Sequence, residues 1–131
     1  MHDYTSLPVP RKLIEKTARA VYKDEHIPTK QRTILVLCSD YKIRKLNSQY
    51  RKKDKPTDVL SFPFGDPDLL GEIYISLQRA RVQSKKYGLT YEQEIRRLFV
   101  HGLFHLLGHD HHEEAEREAM EFKEHRYLDL S

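Results

Sequence analysis

Three histidines near the C-terminal end have the spacing of metal ligands: His101, His105 and His111. His101 and His105 are four residues apart, so on a helix both imidazoles leave the same face about one turn apart. Gly108 can take the left-handed conformation that turns the chain back, which lets His111 reach the same ion. Three neutral imidazoles leave a tetrahedral position open for water, as in catalytic zinc sites. We therefore expect one zinc ion (Zn²⁺) per chain.

The residue after the first histidine separates two kinds of hydrolase. The spacing H-x3-H-x2-G-x2-H is that of the metzincin zinc proteases, which carry a glutamate here as general base. This sequence has Gly102 instead, and glycine offers no group that accepts a proton. The pattern keeps the ligand spacing of a protease and lacks its base. It therefore predicts a metal-dependent hydrolase and argues against peptide hydrolysis.

Charge is unevenly distributed along the sequence. Residues 41–55 contain seven basic residues and one acid, whereas residues 110–126 contain seven acids and three bases. The net charge of the whole chain is only +3. The excess of basic residues over residues 41–55 suits a phosphate-rich partner. On composition alone, a solvated helix face is the alternative interpretation.

Helices and short strands alternate along the chain. Apolar periodicity predicts helices over residues 11–24, after the capping pair Ser39-Asp40, over 76–87, over 91–107 and over 113–127. Short apolar runs predict strands over residues 33–38, 58–62 and 72–76. The pattern T-x-x-Q of Thr90 and Gln93 predicts a capping box before the fourth helix. The strand order does not follow from these patterns.

The second half of the fourth predicted helix, residues 98–107, is apolar nearly all round. Such a helix is buried within a domain. We therefore predict an α/β (α+β) fold in which a small mixed sheet packs with helices. We expect the metal site at the end of the buried central helix, with strand 58–62 beside this helix and forming one wall of the cleft. A chain of 131 residues suits a single domain over residues 1–131.

The sequence also carries expectations about the compartment. It contains no apolar run long enough to span a membrane, and the opening residues lack the apolar stretch of a secretory signal. The single cysteine, Cys38, lies in the apolar run ILVLC, which predicts a buried and inert thiol. We expect a cytoplasmic protein.

Two long motifs resemble those of a known family. Residues 101–111, HGLFHLLGHDH, resemble the signature H-G-x-L-H-L-x-G-Y-D-H of the YbeY family of bacterial endoribonucleases. Residues 46–63, LNSQYRKKDKPTDVLSFP, are similar to that family's element L-N-x-x-Y-R-x-x-D-x-P-T-D-V-L-S-F-P, and residues 70–73 resemble its L-G-D-I strand. Departures from the motifs are Phe104, His109 and Glu72. The sequence assigns no role to His109 or Glu72.

The resemblance implies a zinc-dependent endoribonuclease specific for single-stranded RNA. It would act on ribosomal RNA, notably at the 3′ end of the small-subunit 16S RNA, and in ribosome quality control. The resemblance also implies that His101, His105 and His111 bind the zinc ion and that Arg51 lies at the active-site cleft. A guanidinium there could hold a phosphate oxygen and stabilise developing negative charge. We expect single-stranded RNA and the ribosome as partners, and a monomer.

Three questions stay open at this point. The nucleophile is either water activated by the metal or the ribose 2′-OH, and no residue acts as an evident general base. A metzincin-like zinc protease is one alternative function. A non-catalytic, ribosome-associated factor that zinc merely stabilises is the other, although structural zinc normally has four protein ligands.

Overall fold

The computed structural model describes residues 2–3, 9–51, 57–108 and 114–127. Over these residues the elements follow one another in the order β1 (His2–Asp3), α1 (Arg11–Asp24), β2 (Arg32–Cys38), α2 (Asp40–Arg51), β3 (Val59–Pro63), β4 (Leu69–Ser76), α3 (Leu77–Tyr87), α4 (Tyr91–Leu106) and α5 (Glu114–Arg126). Each predicted helix and strand is present, with bounds that differ by up to three residues.

The described strands form one mixed sheet in the order β1-β2-β4-β3. Strands β1 and β4 both pair with β2 in parallel, whereas β3 pairs with β4 antiparallel and lies at the edge. A small mixed sheet that packs with helices confirms the predicted α+β class. Strand β1 is two residues long and was not predicted, because so short a segment shows no periodicity.

The sheet is covered on both faces, which explains the unbroken apolar run of β2. Leu35 and Leu37 join the larger core with α1, α3 and α4, whereas Val36 and Cys38 join a smaller core under α2. Successive strand residues point to opposite faces, so a strand buried on both sides must be apolar at every position. Helix α2 therefore lies on the opposite face of the sheet from α4.

Local capping signals give the helices their bounds. The Thr90 hydroxyl accepts from the Gln93 backbone N–H at 3.0 Å, and the Gln93 side chain accepts from the Thr90 N–H at 2.9 Å. This is the predicted capping box of α4. Gly88 ends α3 with a φ of 69°, the left-handed conformation expected of a helix-ending glycine.

The last residue of β3 and the first residue of β4 differ from the prediction. Pro63 was expected to stop β3, yet it is the last strand residue and lies opposite Gly71 in β4. A proline is tolerated there because β3 is an edge strand. Strand β4 begins at Leu69, three residues earlier than predicted, because its first residues pair with β2.

Helix α4 is the central element of the larger core. Its buried apolar residues include Leu98, Phe99, Val100, Leu103 and Phe104. The fully buried Glu94 receives two hydrogen bonds from Arg97, at 2.6 and 2.9 Å, and these raise the pKa of Arg97 further above its ordinary value. Across the described residues, none of the helices combines the length and apolar character needed to cross a membrane.

The position of Cys38 makes a prediction about its reactivity. Cys38 is fully buried, and burial raises the pKa of its thiol to about 11. At pH 8 the native thiol should react with Ellman's reagent about 100-fold more slowly than the thiol of the unfolded chain, because the thiolate is the nucleophile. Burial favours the neutral thiol over the thiolate. The raised pKa of Cys38 therefore contributes to the folding stability below the ordinary thiol pKa, and this contribution is lost as the pH rises towards 11. Rapid labelling of the native chain would contradict this assignment.

Candidate functional site

The two described histidines of the predicted metal site lie together on α4. His101 and His105 are both partly buried, and their Nε2 atoms are 3.0 Å apart. The ring centroids are 4.6 Å apart, with an angle of 67° between the ring planes. The i, i+4 spacing therefore places both rings on one face of α4, as the sequence predicted for these two side chains. His111, the third predicted ligand, lies outside the described residues.

A cavity of about 270 Å³ lies between these histidines and the edge strand. Alternate residues of β3 line its other side: Val59, Ser61 and Pro63. Alternate residues of a strand share one face, so this wall is the face of β3 that points towards α4. The prediction that this strand lies beside the metal helix and forms one wall of the cleft is confirmed.

Gly102 faces the sheet at a point where α4 lies close to β3 and β4. A Cβ atom at this position would lie 2.8 Å from Cγ2 of Ile73 and 3.1 Å from Oγ of Ser61. The Ser61 hydroxyl also donates to the Gly102 carbonyl at 3.4 Å. The glycine that the sequence marked as a missing base is therefore a packing requirement. A side chain here would enter the space that Ile73 of β4 and Ser61 of β3 occupy.

The structure adds Glu124, which the sequence did not single out. Its Oε1 lies 2.6 Å from Nδ1 of His101, and the residue is only 5% exposed. A carboxylate can only accept, so this contact requires a hydrogen on Nδ1 of His101; in the neutral ring that leaves the lone pair on Nε2. Glu124 is one of seven acids in residues 110–126 and lies 23 positions from His101. The sequence therefore gave no signal that distinguished it from the other acids.

These contacts allow a test of whether the residues fit a metal ion. Two ligand nitrogens about 2.0–2.1 Å from a tetrahedral ion lie roughly 3.3 Å apart, and the observed Nε2 separation of 3.0 Å is close to that value. The same separation also suits a hydrogen bond between the rings. The spacing of the two described nitrogens is therefore compatible with a shared zinc ion. Within residues 2–3, 9–51, 57–108 and 114–127, no three His, Cys, Asp or Glu side chains form a metal-binding group. The third predicted ligand is not among them.

Of Arg51, His109 and Glu72, only Glu72 has a side chain within the described residues. Arg51 ends α2, but its side chain lies outside the described residues, as does His109. Glu72 accepts a hydrogen bond from the Tyr74 hydroxyl at 3.3 Å. It shares a face of β4 with Tyr74, which packs in the core under α2, so it lies on the opposite face of the sheet from His101.

These features define a small α+β protein in which a histidine pair on a buried helix faces an edge strand across a cleft. A protein-family model described as Endoribonuclease YbeY matches residues 4–130. The chain therefore belongs to the YbeY family, as motifs 46–63 and 101–111 predicted.

Individual relatives agree with this assignment. A protein of Carboxydothermus hydrogenoformans named endoribonuclease YbeY is 47% identical over 97 residues, covering 72% of this chain and 68% of that protein. One of Acholeplasma laidlawii with the same name is 45% identical over 108 residues, covering 81% of this chain and 77% of that protein. A solution structure of a Thermotoga maritima protein is similar in fold, with a TM-score of 0.66 and 30% identity, over 98% of this chain and 87% of that one.

The packing of Gly102 predicts the effect of a larger residue there. Gly102→Val should destabilise the protein by about 2 kcal/mol or more, because the added methyl groups overlap Ile73 and Ser61. Urea unfolding measures the loss. Arg81→Val is the matched control, since it puts valine at an exposed position of α3 and should cost only about 0.5 kcal/mol. Equal losses for the two variants would show that α4 does not require a glycine here.

Proposed function

We propose that this chain is a zinc-dependent endoribonuclease that cleaves single-stranded RNA. One observation carries the proposal: the Nε2 atoms of His101 and His105 meet 3.0 Å apart at a cleft beside the edge strand. The relatives named endoribonuclease support the class of reaction. Within that class we propose a role in ribosomal RNA maturation at the 3′ end of the small-subunit RNA and in ribosome quality control, in the cytoplasm and as a monomer.

The chemistry of the cleft supports an anionic substrate. Its described lining residues are the two histidines, Val59, Ser61 and Pro63, and none of these carries a carboxylate. A phosphate group could therefore approach the histidines without meeting a like charge from these side chains. The same set contains no acid that could serve as the base of a metzincin protease.

Each residue of the proposed site has a separate role. His101 and His105 would hold the zinc ion through Nε2, with His111 as the third ligand. When bound, zinc would stabilise negative charge on a phosphoryl oxygen, whether the nucleophile is a metal-activated water or the ribose 2′-OH. Arg51 would bind a non-bridging phosphate oxygen, a role carried over from the family motif. Glu124 contacts Nδ1 of His101, the ring nitrogen that does not face His105.

The outer face of α2, which lies across the sheet from α4, offers a basic surface to the RNA strand. Arg44 and Lys45 are exposed there, and together with the largely exposed Tyr41 they line a shallow groove. Basic side chains that contact phosphates give affinity without sequence preference, and an exposed aromatic ring can stack on a base. We propose that this face belongs to the basic segment that guides the strand, which continues beyond Arg51.

The histidine pair gives the first functional prediction. Protein purified without a His-tag should contain about one zinc ion per chain and cleave single-stranded RNA. His105→Ala should lose most of its zinc and its cleavage activity. His125→Ala is the control, because His125 is exposed on α5 and lies outside the cleft.

The outcomes separate the alternatives. Loss of thermal stability and RNA binding in His105→Ala, with no cleavage by the wild type in any assay, would favour a non-catalytic factor. Turnover of an unstructured protein that His105→Ala abolishes would favour a protease. Either result would contradict the proposal.

Arg51 gives the second functional prediction. Arg51→Ala should lower RNA cleavage about 100-fold, because a charged donor to the reacting phosphate is lost, while zinc content stays near one per chain. Lys45→Ala on the same helix should mainly weaken RNA binding and reduce its salt dependence. Metal analysis, binding titrations at several salt concentrations and single-turnover cleavage measure these effects. Cleavage at the normal rate by Arg51→Ala would show that this residue does not act at the cleft.

A further inference from the structure

We propose that Glu124 is a positioning residue that holds His101 in the tautomer and orientation needed to bind the metal. The inference rests on the proposed function, since it concerns the same zinc site. It assigns a role to helix α5, which the family motifs at residues 46–63 and 101–111 do not include. Three observations carry it: the contact with His101, the burial of the carboxylate and the anchoring of α5.

The contact fixes which nitrogen of His101 is available. Oε1 of Glu124 lies 2.6 Å from Nδ1 of His101, while Nε2 of the same ring lies 3.0 Å from Nε2 of His105. The two ring nitrogens therefore have separate partners on opposite sides. An imidazole whose Nδ1–H is bound to a carboxylate is a more basic ligand at Nε2, and its ring cannot rotate freely. Glu124 is therefore arranged to support His101 and not to bind the same ion.

The burial of Glu124 makes its contact with His101 energetically important. Its side chain is 6% exposed, compared with 22% for His101. A buried carboxylate loses solvation and needs hydrogen bonds to compensate. The pKa of Arg97 is raised mainly by Glu94, and to a smaller extent by the charge of Glu124. A second cavity, of about 400 Å³, lies on this side of His101 and is lined by Arg97, Glu121 and Glu124.

The anchoring of α5 explains why Glu124 reaches His101. One turn further on, the Tyr127 hydroxyl donates to Asp24 at 2.8 Å, and its carbonyl accepts from the buried Arg96. Next to Glu124, Lys123 donates to Glu25 at 3.4 Å and lies 5.7 Å from the centre of the Phe104 ring. These contacts join the end of α5 to α1 and α4. The carboxylate is therefore held by a fixed helix against the rest of the fold.

A purely structural ion pair between α4 and α5 is the competing interpretation, and the two differ in what they predict. A structural pair would change stability and leave metal affinity almost unchanged. A positioning role changes metal affinity and the tautomer of His101. The matched control is Glu121→Gln, one turn earlier on α5, because Glu121 is an exposed acid that lines the same second cavity.

The experiment measures zinc affinity of the full chain by competition with a chromophoric chelator. Glu124→Ala should bind zinc about 10- to 100-fold more weakly than the wild type, as for other carboxylates that support a histidine ligand. Glu124→Gln should lie between the two, because its amide oxygen still accepts from Nδ1–H but carries no charge. Glu121→Gln should bind zinc like the wild type. Imidazole ¹⁵N shifts should show His101 as the Nδ1–H tautomer in the wild type and a mixture in Glu124→Ala.

Each result has a separate meaning. Zinc affinity of Glu124→Ala within twofold of the wild type, in a wild type that binds zinc and cleaves RNA, would overturn the positioning role alone. A wild type that binds no zinc would overturn both proposals. If Glu124→Ala does not fold, the zinc affinity of Glu124→Gln and the tautomer of His101 in the wild type test the positioning role instead. An Nε2–H tautomer in the wild type would contradict the inference.

Discussion

The structure depends on the burial of helix α4, because every polar group on a buried helix must find a partner within the protein. Glu94 and Arg97 partner each other, and the Arg96 guanidinium reaches the Tyr127 carbonyl. His101 has the Glu124 carboxylate on one ring nitrogen and His105 on the other. The need to satisfy these groups joins α5 to α4, and it also places a buried carboxylate against a histidine of the cleft.

The same burial brings α4 close to the sheet, and two glycines make the approach possible. A Cβ at Gly71 would lie 2.5 Å from Cδ2 of Leu106, and one at Gly102 would lie 2.8 Å from Cγ2 of Ile73. Because the helix lies so near to β4, its histidines open onto the neighbouring edge strand. The close approach of α4 to β3 and β4 at these glycines therefore limits the width of the cleft between α4 and β3.

The sequence predicted the features that local spacing determines, and it missed those that depend on distant contacts. The caps at Thr90 and Gly88, the bounds of α1 and the convergence of His101 and His105 all follow from neighbouring residues. Strand β1 exists only through its pairing with β2, and the strand order is equally non-local. The partnership of Glu124 with His101 requires the packing of α5. The packing role of Gly102 was hidden, since the sequence shows only that a side chain is absent.

The most direct test is the position of the metal relative to the two ring nitrogens. A crystal of the zinc-loaded protein, measured on both sides of the zinc absorption edge, would locate the ion independently of any assumption about ligands. We predict one strong anomalous peak about 2.0–2.1 Å from Nε2 of both His101 and His105, with Glu124 still on Nδ1 of His101. A peak bound through Nδ1, or at a different group of residues, would contradict the proposed site.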